Sequence, residues 1–176
     1  MNKKLLEIIN NLKGTLLLVG CQDENLLDAT LENDDIGQCY ILSNISLTGK
    51  KFNITKHGKN KKVNIKKIKK QFRKKSLDTI VCNYETIKQF NRSFVPNSIY
   101  LCHETIYMYG SKEDMENAKI KYHRYTNKIE TTKTKEGYLL KINVQNAKNH
   151  FLKDTIYKIK DFTSDALELI TDILLN

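Results

Sequence analysis

An α/β fold built on a mostly parallel sheet is expected of this sequence, and three observations lead to it. Residues 15–19 (TLLLV) and 77–83 (LDTIVCN) are short, nearly unbroken apolar runs, the pattern of strands buried on both faces. Such runs alternate with stretches whose apolar residues fall at helical spacing, the order that builds strand–helix–strand units. Two later runs, 128–134 and 138–144, are separated only by Lys135–Gly137 and read as an antiparallel hairpin.

Taken in order, Leu5, Ile8, Ile9 and Leu12 predict an amphipathic helix over 3–12, stopped at Gly14. The strand 15–19 runs into Gly20 and a polar turn, and a helix follows over about 25–32. That strand–turn–helix junction is where open α/β sheets hold a ligand, because helix N-terminal amides converge there. Asp34, Asp35 and Gly37 make a turn before a second strand, QCYILSN (38–44). Residues 45–63 stay open between a loop and a short strand or hairpin. Over 64–75, Ile65, Ile68 and Phe72 share one face and lysines occupy the rest, which predicts a short basic helix. After the strand 77–83 comes a helix over about 85–94. Pro96, the sole proline, is expected to break the chain before a strand at 98–104. Ser111 is placed to cap a further helix, with Glu113 and Asp114 in its first turn. Residues 145–160 fit either a helix or a strand at 155–159. The chain ends in an amphipathic helix through Phe162, Ala166, Leu169, Ile170, Ile173 and Leu174, capped by Thr163 or Ser164.

A length of 176 residues with 40% hydrophobic and 28% charged residues suits one domain with a sizeable core. Its expected parts are an N-terminal helix (1–13), a core (14–146) and a C-terminal extension (147–176). No apolar run approaches the roughly 20 residues of a membrane span, and the N-terminus lacks the apolar core of a signal peptide. A cytoplasmic location without a membrane partner is expected. Cys21, Cys39, Cys82 and Cys102 are far apart and read as buried reduced thiols.

The net charge of +10 is local. Residues 50–75 hold 13 Lys or Arg and no acid, while the other 150 residues sum to −3. One segment therefore points to an anionic partner, RNA or another polyanion. Lys66, Lys67, Lys69, Lys70, Arg73 and Lys74 are its candidate contacts. Lysine outnumbers arginine, so phosphate contact with strong salt dependence is expected rather than base reading.

The order of elements resembles the class I S-adenosylmethionine-dependent methyltransferase fold over residues 1–146. LLLVGCQDENLL (16–27) is similar to that family's first motif, a strand running into V-G-C-G-x-G-N and then leucines. SLDTIVCNYE (76–85) resembles its fourth motif, and FVPNSIYLCHE (94–104) resembles the strand after an L-K-P-G-G turn. The resemblance implies a three-layer Rossmann-like domain: a mostly parallel sheet, a C-terminal antiparallel hairpin and flanking helices. It also implies S-adenosylmethionine as cofactor, held near Gly20, Cys21, Gln22, Asp23, Asn44 and Asn83, while Asp78 matches a mainly structural position.

The departures from the family pattern fall on the cofactor. Gln22 and Glu24 stand where the family has glycines that let the backbone approach the ligand. Leu18 replaces the acid of the first strand. Ser43 or Asn44 replaces the acid that grips the ribose, and a neutral amide is the weaker acceptor. A degenerate methyltransferase-like domain is therefore expected, with Gln22 and Glu24 filling the pocket and the basic segment binding nucleic acid. The alternative is an active methyltransferase acting on RNA or protein. No catalytic residue is assigned, since the methyl group is already activated and positioning can suffice.

Three further groupings stand out in the sequence. If the strands follow the family order, Cys21, Cys82–Asn83 and Cys102–His103–Glu104 gather at one crevice, and zinc would suit such ligands. Core cysteines with a solvated histidine are the preferred reading, and no metal is assigned. Asn83–Tyr84 faintly resembles the N-P-P-Y loop of amino-methyltransferases without its prolines. Tyr100, Tyr107, Tyr109, Tyr122 and Tyr125 read as half-buried packing residues rather than a base-stacking surface. Monomer and homodimer are both compatible with the C-terminal helix.

Overall fold

Six strands form one sheet: β1 (Gly14–Val19), β2 (Ile36–Leu42), β3 (Leu77–Asn83), β4 (Cys102–Gly110), β5 (Ile129–Thr134) and β6 (Gly137–Asn143). The structure, a computed structural model, describes residues 3–21, 23–42, 72–88 and 91–147. The strand order is β2-β1-β3-β4-β6-β5. The first four strands are mutually parallel, and β6 and β5 are antiparallel to their neighbours. The change of sense follows from the connections. The Lys135–Glu136 turn is too tight for anything but a hairpin, whereas parallel neighbours need a crossover.

Helices cover both faces: α1 (Lys3–Asn10), α2 (Glu24–Glu32), the single turn α3 (Tyr84–Ile87), α4 (Asn91–Leu101) and α5 (Lys112–Tyr122). Strand alternation divides the core in two. Leu16 and Leu18 of β1 pack with Leu5, Ile9, Leu26 and Leu27 from α1 and α2. Leu17 and Val19 point the other way, into a larger cluster with Phe94, Ile99, Met115 and Tyr122 from α4 and α5. Each such fully buried aliphatic side chain contributes about 1.5–3 kcal/mol. The expected three-layer arrangement is the one observed.

Local signals set several boundaries. Asp23 caps α2, and Ser111 and Asp114 form a reciprocal capping box on α5 at 3.1 and 3.3 Å. Asp78 accepts the Thr15 N–H at 2.7 Å, tying the start of β1 to that of β3. Gly14 lies at φ +79°, where a side chain would be strained and would also run into the Asp78 carboxylate.

Four sequence expectations are corrected. The strand expected at 98–104 is the end of α4 followed by β4, which begins at Cys102 and runs to Gly110. Pro96 lies inside α4 rather than ending it. Its missing N–H forfeits one backbone hydrogen bond, which burial of Phe94, Val95, Ile99 and Leu101 outweighs. The helix expected over 85–94 is correspondingly split between α3 and the start of α4. The helix expected over 64–75 does not extend through its last residues, because 72–75 form a bend and a turn with Lys75 at φ +53°. The expectations for 45–63, for 64–71 and for the region from 148 onward, including the C-terminal helix, lie outside the described residues. Among the described residues, no helix is long and apolar enough to cross a membrane.

Candidate functional site

The chain leaves β1 through α2 to reach β2 on one side, then returns past β1 to place β3 on the other. Connections that part in opposite directions leave a crevice between the carboxyl ends of the two strands. Register places those ends level: Val19 stands beside Leu42 and Cys82, and Asn83 beside Tyr109. Gly20, Cys21 and Asp23, Asn83, and Tyr109 therefore come together at one end of the sheet.

Cys21 is fully buried there, with its thiol 3.8 Å from the Val19 and Val81 carbonyls. The Tyr109 hydroxyl lies beside its sulfur, and the two groups interact electrostatically. Burial pushes the thiol up to about 11, with the nearby Asp23 carboxylate adding to the rise. The Tyr109 hydroxyl is likewise held far above its ordinary range, first by burial and then by Cys21. Both groups are neutral near pH 7. They act as hydrogen-bonding and packing elements, not as a nucleophile and its base.

Asp23 is half-buried and accepts from the Asn25 backbone N–H at 3.0 Å and from Asn25 Nδ2 at 3.1 Å. Its carbonyl accepts from Leu26 and Leu27. The N-terminus of α2, the natural anion site of such a junction, thus already has a carboxylate of the chain on it. Glu24, expected to fill the pocket, is exposed instead. Gly20 is at φ +65°, and the space its side chain would take holds Thr86 of α3. This glycine is required by backbone conformation and by packing against α3. Asn83 caps α3 by accepting the Glu85 N–H at 3.0 Å. Tyr84 is buried in the core, so Asn83–Tyr84 does not present an amine clamp.

Other sequence candidates fall elsewhere. Gln22, Asn44, Lys66, Lys67, Lys69 and Lys70 lie outside the described residues. Arg73 and Lys74 are exposed. They follow Phe72, whose ring meets Tyr40 of β2 edge-on at 4.9 Å and anchors the end of the basic segment on the sheet. Lys75 Nζ turns inward, donating to the Cys102 carbonyl at 2.7 Å and the Val144 carbonyl at 3.3 Å. The five tyrosines do not make one surface: Tyr100, Tyr122 and Tyr125 belong to one core face, Tyr107 and Tyr109 to the other.

The gathering of Cys102, His103 and Glu104 with Cys21 and Cys82 is overturned. Because β4 starts at Cys102, these three residues sit at the amino end of the sheet, a strand length from Cys21. Tyr109 takes the expected place of Glu104 at the crevice. Together with Thr86 it is the contribution that sequence reasoning missed. The signal was present in TIYMY (105–109), whose period-two pattern suits a strand better than the apolar run around Pro96.

No family profile and no curated protein matches this chain. Solved structures do. The candidate tRNA (m1A22) methyltransferase Sp1610 of Streptococcus pneumoniae, solved with S-adenosyl-L-methionine, superimposes with a TM-score of 0.55 at 13% identity, covering 97% of this chain and 91% of its own. The predicted O-methyltransferase Atu636 of Agrobacterium tumefaciens gives 0.60 at 6% identity, covering 86% and 82%. Thermotoga maritima spermidine synthase gives 0.55 at 12% identity; the match covers 81% of this chain but only 57% of the synthase, a little over half its length. Strand order, hairpin and switch point agree with these likenesses, and the chain has the class I S-adenosylmethionine-dependent methyltransferase fold.

Proposed function

We propose that this chain is a methyltransferase-like domain whose crevice is occupied by its own side chains and whose basic segment, 50–75, binds RNA. The observation that carries the first half is the Asp23 carboxylate on the N-terminus of α2. A ligand carboxylate arriving there would meet a negative charge and a donor already in use. Tyr109 beside Cys21 and Thr86 behind Gly20 support the same reading. The second half rests on 13 cations without an acid in one segment, whose Arg73 and Lys74 are exposed.

Calorimetric titration with S-adenosylmethionine and its demethylated product tests the crevice. Absence of binding at millimolar ligand by the folded chain is expected. Fluorescence anisotropy with a tRNA-sized RNA tests the segment: binding should weaken steeply with salt and be lost when Lys66, Lys67, Lys69 and Lys70 are replaced by Ala.

An active methyltransferase acting on RNA or protein is the second reading. It is favoured by the near-complete overlap with Sp1610, which was solved with the cofactor. Micromolar cofactor binding would establish it in place of the first. In that case Gly20, Cys21, Gln22, Asp23, Asn44 and Asn83 are the residues to hold the cofactor, supplying hydrogen bonds and position to a methyl group that needs no further activation.

A further inference from the structure

The opposite end of the sheet holds a second cluster of chemically competent side chains. β3 and β4 are paired Leu77 to Cys102 and then Thr79 to Thr105, so Asp78 alone faces two residues, His103 and Glu104. This is a β-bulge, which re-aims side chains that regular alternation would send to opposite faces. Here His103 Nδ1 lies 3.9 Å from Asp78 Oδ1 and 4.0 Å from Glu104 Oε1. One ligand atom from each of the three residues falls within 4.8 Å of the others.

Asp78 is a fixed member. Its Oδ2 accepts the Thr15 N–H at 2.7 Å, which leaves Oδ1 turned toward the imidazole. The nearby Lys75 ammonium is directed to the carbonyls of Cys102 and Val144. An imidazole and two carboxylates converging in this way are a donor set suited to a borderline divalent cation. Ligand atoms held about 2.0–2.2 Å from one such ion stand roughly 3–4 Å apart, close to the spacing observed.

We propose that Asp78, His103 and Glu104 form a zinc-binding site at the amino end of β3 and β4, separate from the crevice and independent of its function. Three protein ligands leave further coordination positions to water, and the half-exposed His103 and Glu104 give the ion direct access from solvent.

The test is calorimetric titration of the full chain with zinc chloride, paired with ¹⁵N imidazole spectra. One ion per chain should bind with a shift of the His103 Nδ1 resonance. His103→Ala should weaken binding at least about ten-fold, the lower end of what losing even a supporting partner of a metal site costs. Glu104→Gln should weaken it by a smaller factor. Both positions are exposed, so the thermal transition should be unchanged and a folding defect is distinguishable from a lost ligand. No binding at millimolar zinc, binding that leaves the His103 resonance in place, or unchanged affinity in His103→Ala would each overturn the proposal.

Discussion

Tyr109 reaches across β3 from the end of β4 to set its hydroxyl beside the sulfur of Cys21, which lies just beyond β1. The contact spans β3 at the crevice end of the sheet, with Cys21 fully buried and Tyr109 partly so. Replacing Tyr109 by Phe deletes the hydroxyl while keeping the ring. The expected loss is about 0.5–1.5 kcal/mol of unfolding free energy in urea, with the denaturant slope unchanged. A neutral result would mean that the pair contributes only packing.

The thiols make the chain sensitive to alkali. Burial raises Cys21 to about 11 and Cys39 and Cys102 to about 12, against 9.0 for an ordinary thiol. In that interval the folded state retains protons that the unfolded chain has released. Stability is therefore complete below pH 9 and falls as pH rises, by up to about 1.4 kcal/mol per pH unit for each such thiol. Urea melts between pH 8 and 11 should show this decline, and Cys102→Ala should flatten it.

The Thr15–Asp78 hydrogen bond joins residues 63 apart in sequence. Asp78→Ala leaves the Thr15 N–H without its charged acceptor and should destabilise the chain by about 1.5–3 kcal/mol. Asp78→Asn retains an oxygen acceptor and should lose less. Equal losses in urea melts would refute a hydrogen-bonding role.

Gly20 and Thr86 are expected to be coupled. Gly20→Ala adds a methyl group at positive φ and directs it into Thr86, so destabilisation of more than about 1 kcal/mol is expected. Thr86→Gly, which also removes the Cβ that alanine would leave in the way, should relieve the collision but not the backbone strain. A double-mutant cycle showing no coupling would exclude the contact.

Much of the fold was legible because its signals are local. Strand 77–83, the turn at Gly20, the Ser111 cap and the hairpin at Lys135–Gly137 each depend on neighbours in sequence. The exception was Pro96. Its cost is local, but its compensation by Phe94 and Ile99 is tertiary, so the helix read as a break and β4 was displaced toward the N-terminus. That displacement moved Cys102, His103 and Glu104 to the wrong end of the sheet and hid Tyr109. The carboxylate capping α2 was recoverable in principle, since Asp is a favoured N-cap residue. The family pattern instead marks Glu24, which stands in the place of a glycine.

The strand order also has a consequence for biosynthesis. β1 and β2 leave the ribosome first, but the other edge of β1 is claimed by β3, whose residues are made more than 50 positions later. Until Leu77–Asn83 emerge, Leu16–Val19 present an unpaired apolar edge, the type of surface on which nascent chains associate wrongly. Translation must therefore pass through the whole basic segment before the centre of the sheet can close.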